Sequence, residues 1–391
     1  MVSKKHSKHG QTDYRYDHTG RIEGCRNQRY WETLQYDAAA NLLDSKYRED
    51  YSNYNLIRCN QLLHFRGHHY SYDEHGRTAS KQTTGATQHY HYDAEHRLSE
   101  VRIEQLNKTE RYRYLYDALG RRIEKQKLDR EGKPYNRTRF LWDGLRMIQE
   151  TGPNHPTSLY IYTDQNSYEP LAHIDTDGNQ EQHIRYFHTD LNGCPEELTD
   201  ANGKILWECS FQLWGKRIHE IEHESIEQNL RYQGQYLDRE TGLHYNTFRY
   251  YDPDIGRFTQ PDPIGLLGGF NLYQYAPNGL TWIDPWGLTN RIYEDAPYHG
   301  KADNSVKSRA PTNGQVALNN STQVKPTSFR RVGVDIANNE IVVMDRTRVL
   351  SNGDELFHGH VRKWDALHPD QQNALRKSGM TDKKGNIKSG C

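Results

Sequence analysis

The sequence predicts a mainly β chain: an array of β-hairpins followed by a small α+β domain. Three observations carry that reading. Tyrosine supplies 28 of the 391 residues in a chain only 34% hydrophobic, and its ring fills a thin β layer while its hydroxyl keeps a hydrogen bond. A Tyr-Asp pair returns at positions 16, 36, 72, 92 and 116, a period of about twenty residues that marks an array rather than a globule. Charge divides the chain as well. Residues 289–391 hold 16 Lys+Arg against 11 Asp+Glu, a net +5, while residues 1–288 hold 35 against 41, a net −6. A basic end on an acidic body points to a polyanion as the target of that end.

Taken in order, residues 1–12 are polar and read as a disordered lead. No apolar run follows Lys4, Lys5 and Lys8, so no signal peptide is expected, and no stretch has the length of a transmembrane segment. The five cysteines (Cys25, Cys59, Cys194, Cys209, Cys391) show no metal or redox spacing, and their odd number argues against a disulfide scaffold. Residues 13–241 carry the repeats, of which Tyr70-Ser71-Tyr72-Asp73-Glu74-His75-Gly76-Arg77 and Tyr114-Leu115-Tyr116-Asp117-Ala118-Leu119-Gly120-Arg121 are the fullest. Tyr-x-Tyr puts both rings on one strand face, Asp-x-x-Gly turns the chain, and Arg begins the return strand. Each repeat is therefore a hairpin that buries itself against its neighbours. Turns at Asp143-Gly144 and Asp177-Gly178 keep that spacing. Cys194 and Cys209 read as small core residues, and His188 with Asp190 as structural, since no third metal ligand accompanies them. Residues 216–230 are charged and lack Gly and Pro, which predicts a surface loop or short helix.

Residues 242–288 contain Asp262-Pro263-Ile264-Gly265 and again Asp284-Pro285-Trp286-Gly287. By local chemistry each box is a type I turn. The stretch, together with the Tyr-Asp units and the upstream YFHTDLNGCPEELTDANGKILWECSFQLWG, resembles the C-terminal boundary of the Rhs, or YD-repeat, core. The resemblance implies that the repeats wind into a hollow β-shell, partial here because Rhs relatives are typically several times longer. The chain then reads as the C-terminal part of a larger protein or as a displaced cassette. It also implies that the two boxes flank a self-cleavage site with Asp262 and Asp284 as the protease pair, cutting Leu288–Thr289 and releasing a toxin tip. Arg249 is the candidate for orienting a carboxylate or steadying an oxyanion; Asp252 and Arg257 are lesser candidates. The same resemblance implies a cognate immunity protein and export without a signal peptide through a type VI-like secretion apparatus with its adaptor. The tip would then act in the cytoplasm of a target bacterium.

The tail reads as a mobile lead, 289–329, then a compact unit, 330–391. Three strands are predicted at 330–336, 341–350 and 355–362, with turns at 337–340 and 351–354, and a helix from Pro369 ended by Gly379. Period two aligns His358, His360 and Arg362 on one face, opposite Phe357, Gly359 and Val361; Arg331 shares a face with Asp335, opposite Val332, Val334 and Ile336. Two histidines for acid and base and several arginines for phosphorane charge meet the needs of RNA cleavage without metal or other cofactor. Arg330, Lys363, Arg346 and Arg348 are the RNA-binding candidates. A solvated polar strand face is the bland alternative, and a His-x-His zinc site lacks a clear third ligand. The pattern RRVGVD…EIVVMDRT…FHGHVRKW…NALRKSG resembles the compact tips of bacterial polymorphic toxins, implying a ribonuclease of the barnase–EndoU–colicin–RelE type. An ADP-ribosyltransferase, a metal-dependent DNase, and a purely structural or surface-binding repeat protein stay open. A zinc deaminase would need a Cys-x-x-Cys, which the tail lacks.

Overall fold

From Tyr70 onward, the second aromatic of each Tyr-x-Tyr-type unit ties one hairpin to the one before it. In the computed structural model, the Tyr72 hydroxyl donates to the Leu62 carbonyl (3.0 Å), Tyr92 to Thr78 (3.0 Å), Tyr116 to Leu98 (2.7 Å) and Tyr162 to Met147 (2.6 Å). Trp142 takes the same position one unit on, its Nε1 donating to the Arg122 carbonyl (2.9 Å). The first aromatic of each unit is buried: Tyr70, Tyr90, Tyr114, Phe140, Tyr160. The aspartate closes the turn. Asp73 Oδ1 accepts from the Arg77 backbone N–H (2.9 Å) and Oδ2 from Arg77 Nε (2.7 Å), and Asp93–Arg97 and Asp117–Arg121 repeat the arrangement. Gly76 and Gly120 hold φ of +77° and +78° in those turns, a conformation that costs glycine least. Each arginine then lies over a ring of the next unit, Arg77 4.6 Å from Tyr92 and Arg97 5.1 Å from Tyr116.

Repeated, this geometry builds a fifteen-stranded antiparallel sheet, from His64–Phe65 to Arg217–Glu222, whose strands follow chain order. The structure describes residues 1–6, 8, 10–17, 21–43, 57–153, 157–165, 167–268, 271–276, 278–288, 291–294, 308–319, 321–325, 328–349 and 355–388. The chain divides into two units: Met1–Arg15, Ile22–Pro263 and Asn271–Leu288 form one, and Tyr16–Arg21, Ile264–Phe270 and Thr289–Cys391 the other. Among the described residues, no helix is long and apolar enough to cross a membrane.

In the first unit, the ring-lined face of the sheet is covered by residues 230–258. Their four short strands, Tyr236–Leu237, His244–Asn246, Arg249–Asp252 and Arg257–Phe258, are buried throughout. Leu243, Tyr245 and Tyr250 pack on Tyr90, Leu98, Val101 and Tyr114, while Leu230 and Tyr236 pack on Phe140, Tyr160, Phe187 and Trp207. Buried charge joins the two layers. Arg122 Nη1 meets Asp238 Oδ2 at 2.6 Å, and Lys81 meets Asp252 at 2.8 Å. Asp252 and Arg257 thus serve the core: Asp252 also accepts from the Tyr70 hydroxyl, and Arg257 binds Asn41 and stacks on Tyr273.

Two expectations are corrected here. Residues 1–12 are not a disordered lead: Ser3–His6 pairs with Gly10–Tyr16. Their cations find carboxylates on the large sheet, Lys4 at Glu196 and Lys8 at Glu208 (3.1 Å), partners that local composition does not reveal. Residues 216–230 do not form a helix; Arg217–Glu222 is the final strand of the sheet, paired from Phe211↔Arg217 to Trp207↔Glu222. Its charges read as loop because Glu220 finds its partners elsewhere, at Trp207 Nε1 (3.0 Å) and Arg239 (3.0 Å).

The second unit is a five-stranded sheet ordered Arg291–Tyr293, Glu355–Val361, Glu340–Val349, Ser328–Asp335, Ser321–Lys325. Arg291–Tyr293 pairs parallel with Glu355–Val361, and the remaining pairs are antiparallel. Helix Gly314–Asn319 packs Ala317 and Leu318 on Val342, Met344 and Phe357; helix Pro369–Lys377 packs Leu375 over Val332, Val334 and Val343 on the other face. The described part of 289–329 therefore supplies two strands and a helix rather than a mobile lead. Ile336 lies beyond the end of its strand and is exposed, not on the buried face with Val334. The turn expected at 351–354 lies outside the described residues.

Two outcomes follow from the first unit. Arg122→Met should destabilise it by about 3 kcal/mol, the lower end for breaking a buried pair, since Lys125 remains 3.4 Å from Asp238; urea unfolding measures this, and an unchanged midpoint would refute the clamp. Burial, then Glu196, pushes the Asp190 carboxyl up to about 6. A raised acid binds its proton more tightly folded than unfolded, so Asp190 adds stability as pH falls below about 6 and costs stability above it. Asp190→Asn should therefore stabilise the unit at pH 7 by roughly 1–2 kcal/mol, discounted for partial exposure, with the gain fading toward pH ~4. Thermal unfolding across that range reads the difference.

Candidate functional site

The tight hairpin His244–Asp252 builds the first site. Asn246 pairs with Arg249 across a two-residue loop, Thr247-Phe248, and Thr247 adopts φ +54° to make it. Both Asn246 and Arg249 are buried. Arg249 Nη2 lies 2.9 Å from Asp262 Oδ2 and 3.9 Å from Asp284 Oδ2. One guanidinium nitrogen thus draws together two carboxylates that stand twenty-two positions apart in sequence, and both are buried. Arg249 Nη1 donates to the Leu272 carbonyl (3.0 Å) and Nε to the Gly287 carbonyl. Its guanidinium stacks 3.7 Å from the Phe258 ring centroid. Burial lowers the Arg249 pKa and the two carboxylates oppose that, leaving it below the ordinary arginine value. Asp262 and Asp284 thus both lie within ion-pair reach of Arg249.

The second box is gripped as well as placed. Asp284 Oδ1 accepts from the Leu288 N–H at 2.8 Å, folding the carboxylate back onto the residue before the expected cut. Asn246 Nδ2 donates to the Asp284 carbonyl (3.0 Å), and Phe248 N–H to the Trp286 carbonyl (3.2 Å). Trp286 Nε1 donates to the Tyr168 hydroxyl (2.6 Å). Gly287 sits at φ +71°, where an added Cβ would stand 2.9 Å from the Asn246 carbonyl. Gly234 is tighter still: a Cβ there would lie 2.1 Å from the Pro285 carbonyl. Asn246, Phe248 and Gly234 are missed by sequence reasoning, because their role is set by contact across nearly forty or more residues. Thr289, on the far side of the expected cut, lies outside the described residues.

In the second unit, register decides which candidates meet. Asp345 stands opposite His358 and Val343 opposite His360; Val332 stands opposite Val343. The two histidines therefore share the face of Val332 and Val334. Arg331 stands opposite Met344, and Met344 opposite Gly359, so Arg331 lies on the other face. This corrects its place in the candidate nuclease set. Its Nε and Nη2 hold Ser321 (2.7 and 2.8 Å). The arginine that shares the histidine face is Arg330, bidentate on Asp345 at 2.7 and 2.9 Å. His358 Nδ1 is 2.9 Å from the Thr347 hydroxyl, and Arg362 Nε donates to His360 Nε2 at 3.1 Å. Arg348 pairs with Leu356 on the same side and is exposed. Arg346 does not join them: it pairs with buried Glu355 (2.5 Å) and stacks 3.3 Å from Phe329. Lys363 is exposed past the strand end.

Candidate metal ligands also take their places. His188 Nε2 is 3.0 Å from the Thr199 hydroxyl, and Asp190 Oδ1 accepts from Asn192 N and Cys194 N (both 2.9 Å), a turn closure like the repeats' own. Among the described residues, Asp177, Glu181 and His183 cluster at an exposed hairpin end in a metal-compatible way.

Residues 2–279 match the Teneurin YD-shell family. The double-stranded DNA deaminase toxin A of Burkholderia cenocepacia (strain H111) is 38% identical over 325 residues, 76% of this chain and 22% of that protein. The probable deoxyribonuclease RhsA of Dickeya dadantii (strain 3937) is 30% identical over 306 residues, 71% of this chain and 21% of that protein. A crystal structure titled as a CDI complex from Cupriavidus taiwanensis LMG 19424 contains a chain 55% identical, with TM-score 0.18, matched over 20% of this chain and 99% of that one. The present chain thus spans between a fifth and a quarter of the length of these two curated relatives. The Tyr-Asp hairpins, the sheet they build and the match over residues 2–279 agree: the chain belongs to the Teneurin YD-shell family, as an Rhs-type YD-repeat protein.

Proposed function

We propose that this chain is the releasing end of an Rhs-type antibacterial toxin: its core cuts its own backbone between Leu288 and Thr289 and frees residues 289–391. The observation that carries this reading is Arg249, whose Nη2 lies 2.9 Å from Asp262 and 3.9 Å from Asp284 while Nε holds the Gly287 carbonyl. Two carboxylates and one guanidinium leave one net negative charge, which a proton held between the carboxylates neutralises. One carboxylate then takes a proton from a water whose oxygen attacks the Leu288 carbonyl carbon, and the other gives its proton to the leaving amide nitrogen as the C–N bond breaks. Purified wild-type protein should run as two bands on a denaturing gel, and Asp262→Asn or Asp284→Asn as one. A single full-length wild-type band sinks the claim.

For the freed tail we favour a metal-independent ribonuclease. Relatives named as a DNA deaminase and a deoxyribonuclease support a nucleic-acid substrate. RNA is preferred because His358 and His360 share one strand face with Arg330 and lie beside Arg362, supplying acid, base and phosphorane cations. Arg331 leaves the catalytic set because it faces the other way. A cognate immunity protein, acidic to oppose the +5 surface, and delivery by a type VI-like apparatus complete the reading. His358→Ala and His360→Ala should each cut RNA cleavage by about 10²–10⁴-fold with folding retained. Arg330→Ala should lower it and Arg331→Ala should not, beyond any loss of stability. EDTA should leave the rate unchanged; inhibition would point to a metal nuclease instead.

A further inference from the structure

We infer that Asn246 is a positioning residue for the self-cleavage, the fixed point of a hairpin that grips the segment to be cut as a protease grips a peptide. The inference rests on the cleavage reading above and adds a role that the Asp pair does not supply. Consider the carbonyls that precede the expected cut. Asp284's is taken by Asn246 Nδ2 (3.0 Å), Trp286's by Phe248 N–H (3.2 Å) and Gly287's by Arg249 Nε. All three donors sit within four consecutive residues, Asn246–Arg249. Leu288 N–H, next along, is taken by Asp284 Oδ1 (2.8 Å). The chain from 284 to 288 therefore has one register on the hairpin, and that register presents Leu288.

Asn246 differs from the other two donors. Phe248 contributes only backbone, and Arg249 also meets both carboxylates. Asn246 touches neither reacting carboxylate with its side chain; it fixes the backbone of the residue that carries one of them. It is wholly buried, and its own carbonyl is the atom that an added Cβ at Gly287 would crowd, at 2.9 Å. Side chain and backbone of one residue thus set both ends of the box. Loss of the Nδ2 donor frees Asp284 to shift along the hairpin, and a shift of about 1 Å in a reacting group costs roughly 10²-fold in rate.

The test uses the full chain, made by pulse-labelled translation in vitro and chased on denaturing gels for release of the C-terminal fragment. Asn246→Ala should slow release by roughly 10–100-fold while the melting temperature of the accumulated precursor stays close to that of Asp284→Asn precursor. Asn246→Asp separates positioning from mere packing. It is the same shape, and it donates to the Asp284 carbonyl only when protonated. Its rate relative to wild type at each pH should rise as pH falls from 8 to about 5. Asn246→Ala cleaving at the wild-type rate overturns the inference and leaves the cleavage reading intact. If Asn246→Ala does not fold, a flat Asn246→Asp to wild-type ratio across pH overturns it. Wild type that never cleaves overturns both.

Discussion

A sheet with rings on one face must bury that face, and the rest of the first unit follows from how it does so. Each of the repeats from Tyr70 to Tyr162 supplies one buried aromatic and a second one hydrogen-bonded to the preceding repeat, and Phe187, Leu198 and Trp207 carry the apolar face on along the fifteen strands. The hairpins cannot cover it themselves, because they run as a meander in a single layer. Residues 230–258 supply the cover. Tyr236, Tyr245 and Tyr250 return rings to rings, and tilted or edge contacts at 5–6 Å fill the layer, as between Tyr245 and Tyr250 (5.4 Å).

Phenolic layers bring a second constraint. Each buried hydroxyl needs a partner, and the sheet supplies charged ones beneath the cover. Glu150 accepts from both Tyr160 and Tyr236 at 2.6 Å. Arg122 inserts among Tyr114, Phe140, Tyr236 and Tyr245 and still reaches Asp238. Charges so placed add little net stability over apolar packing, but breaking one side is costly. They fix the register of cover on sheet. Arg249 uses the same device within the covering segment itself: it is a buried cation among the carboxylates of Asp262 and Asp284 and the carbonyls of Leu272 and Gly287.

The repeats were legible because their logic is local. Asp-x-x-Gly-Arg closes on itself within five residues, and Tyr-x-Tyr sets a face by period alone. The boxes at Asp262 and Asp284 were legible from their pattern, and Arg249 from its place beside them. What sequence missed was set by long-range pairing. The strand at 217–222 and the hairpin of residues 1–12 are polar stretches neutralised by Glu196, Glu208 and Arg239, partners far away in sequence. In the tail, period two correctly grouped His358 with His360, since both lie on one strand. It gave no way to relate that strand to 328–335. Only the register, Arg331↔Met344↔Gly359, shows that Arg331 faces away and that Arg330 does not.

That register also sets how the tail's small sheet divides its residues between two faces. Both faces are packed at the centre, one by Ala317 and Leu318, the other by Leu367 and Leu375. The second face also carries polar pairs beside that core. There Arg330 meets Asp345, Thr347 meets His358 and Arg362 meets His360. Each titratable or charged group is paired with a neighbour that holds its orientation, and the strands beneath are held by Val332 and Val343 in the core. A reacting group on a rigid strand with a fixed second partner needs little reorganisation when substrate arrives. Arg331, one residue from Arg330, spends its guanidinium on Ser321 and fastens the edge strand of the sheet. Neighbouring arginines thus lie on opposite faces of the sheet, a division that alternation along a strand imposes on any pair at i and i+1.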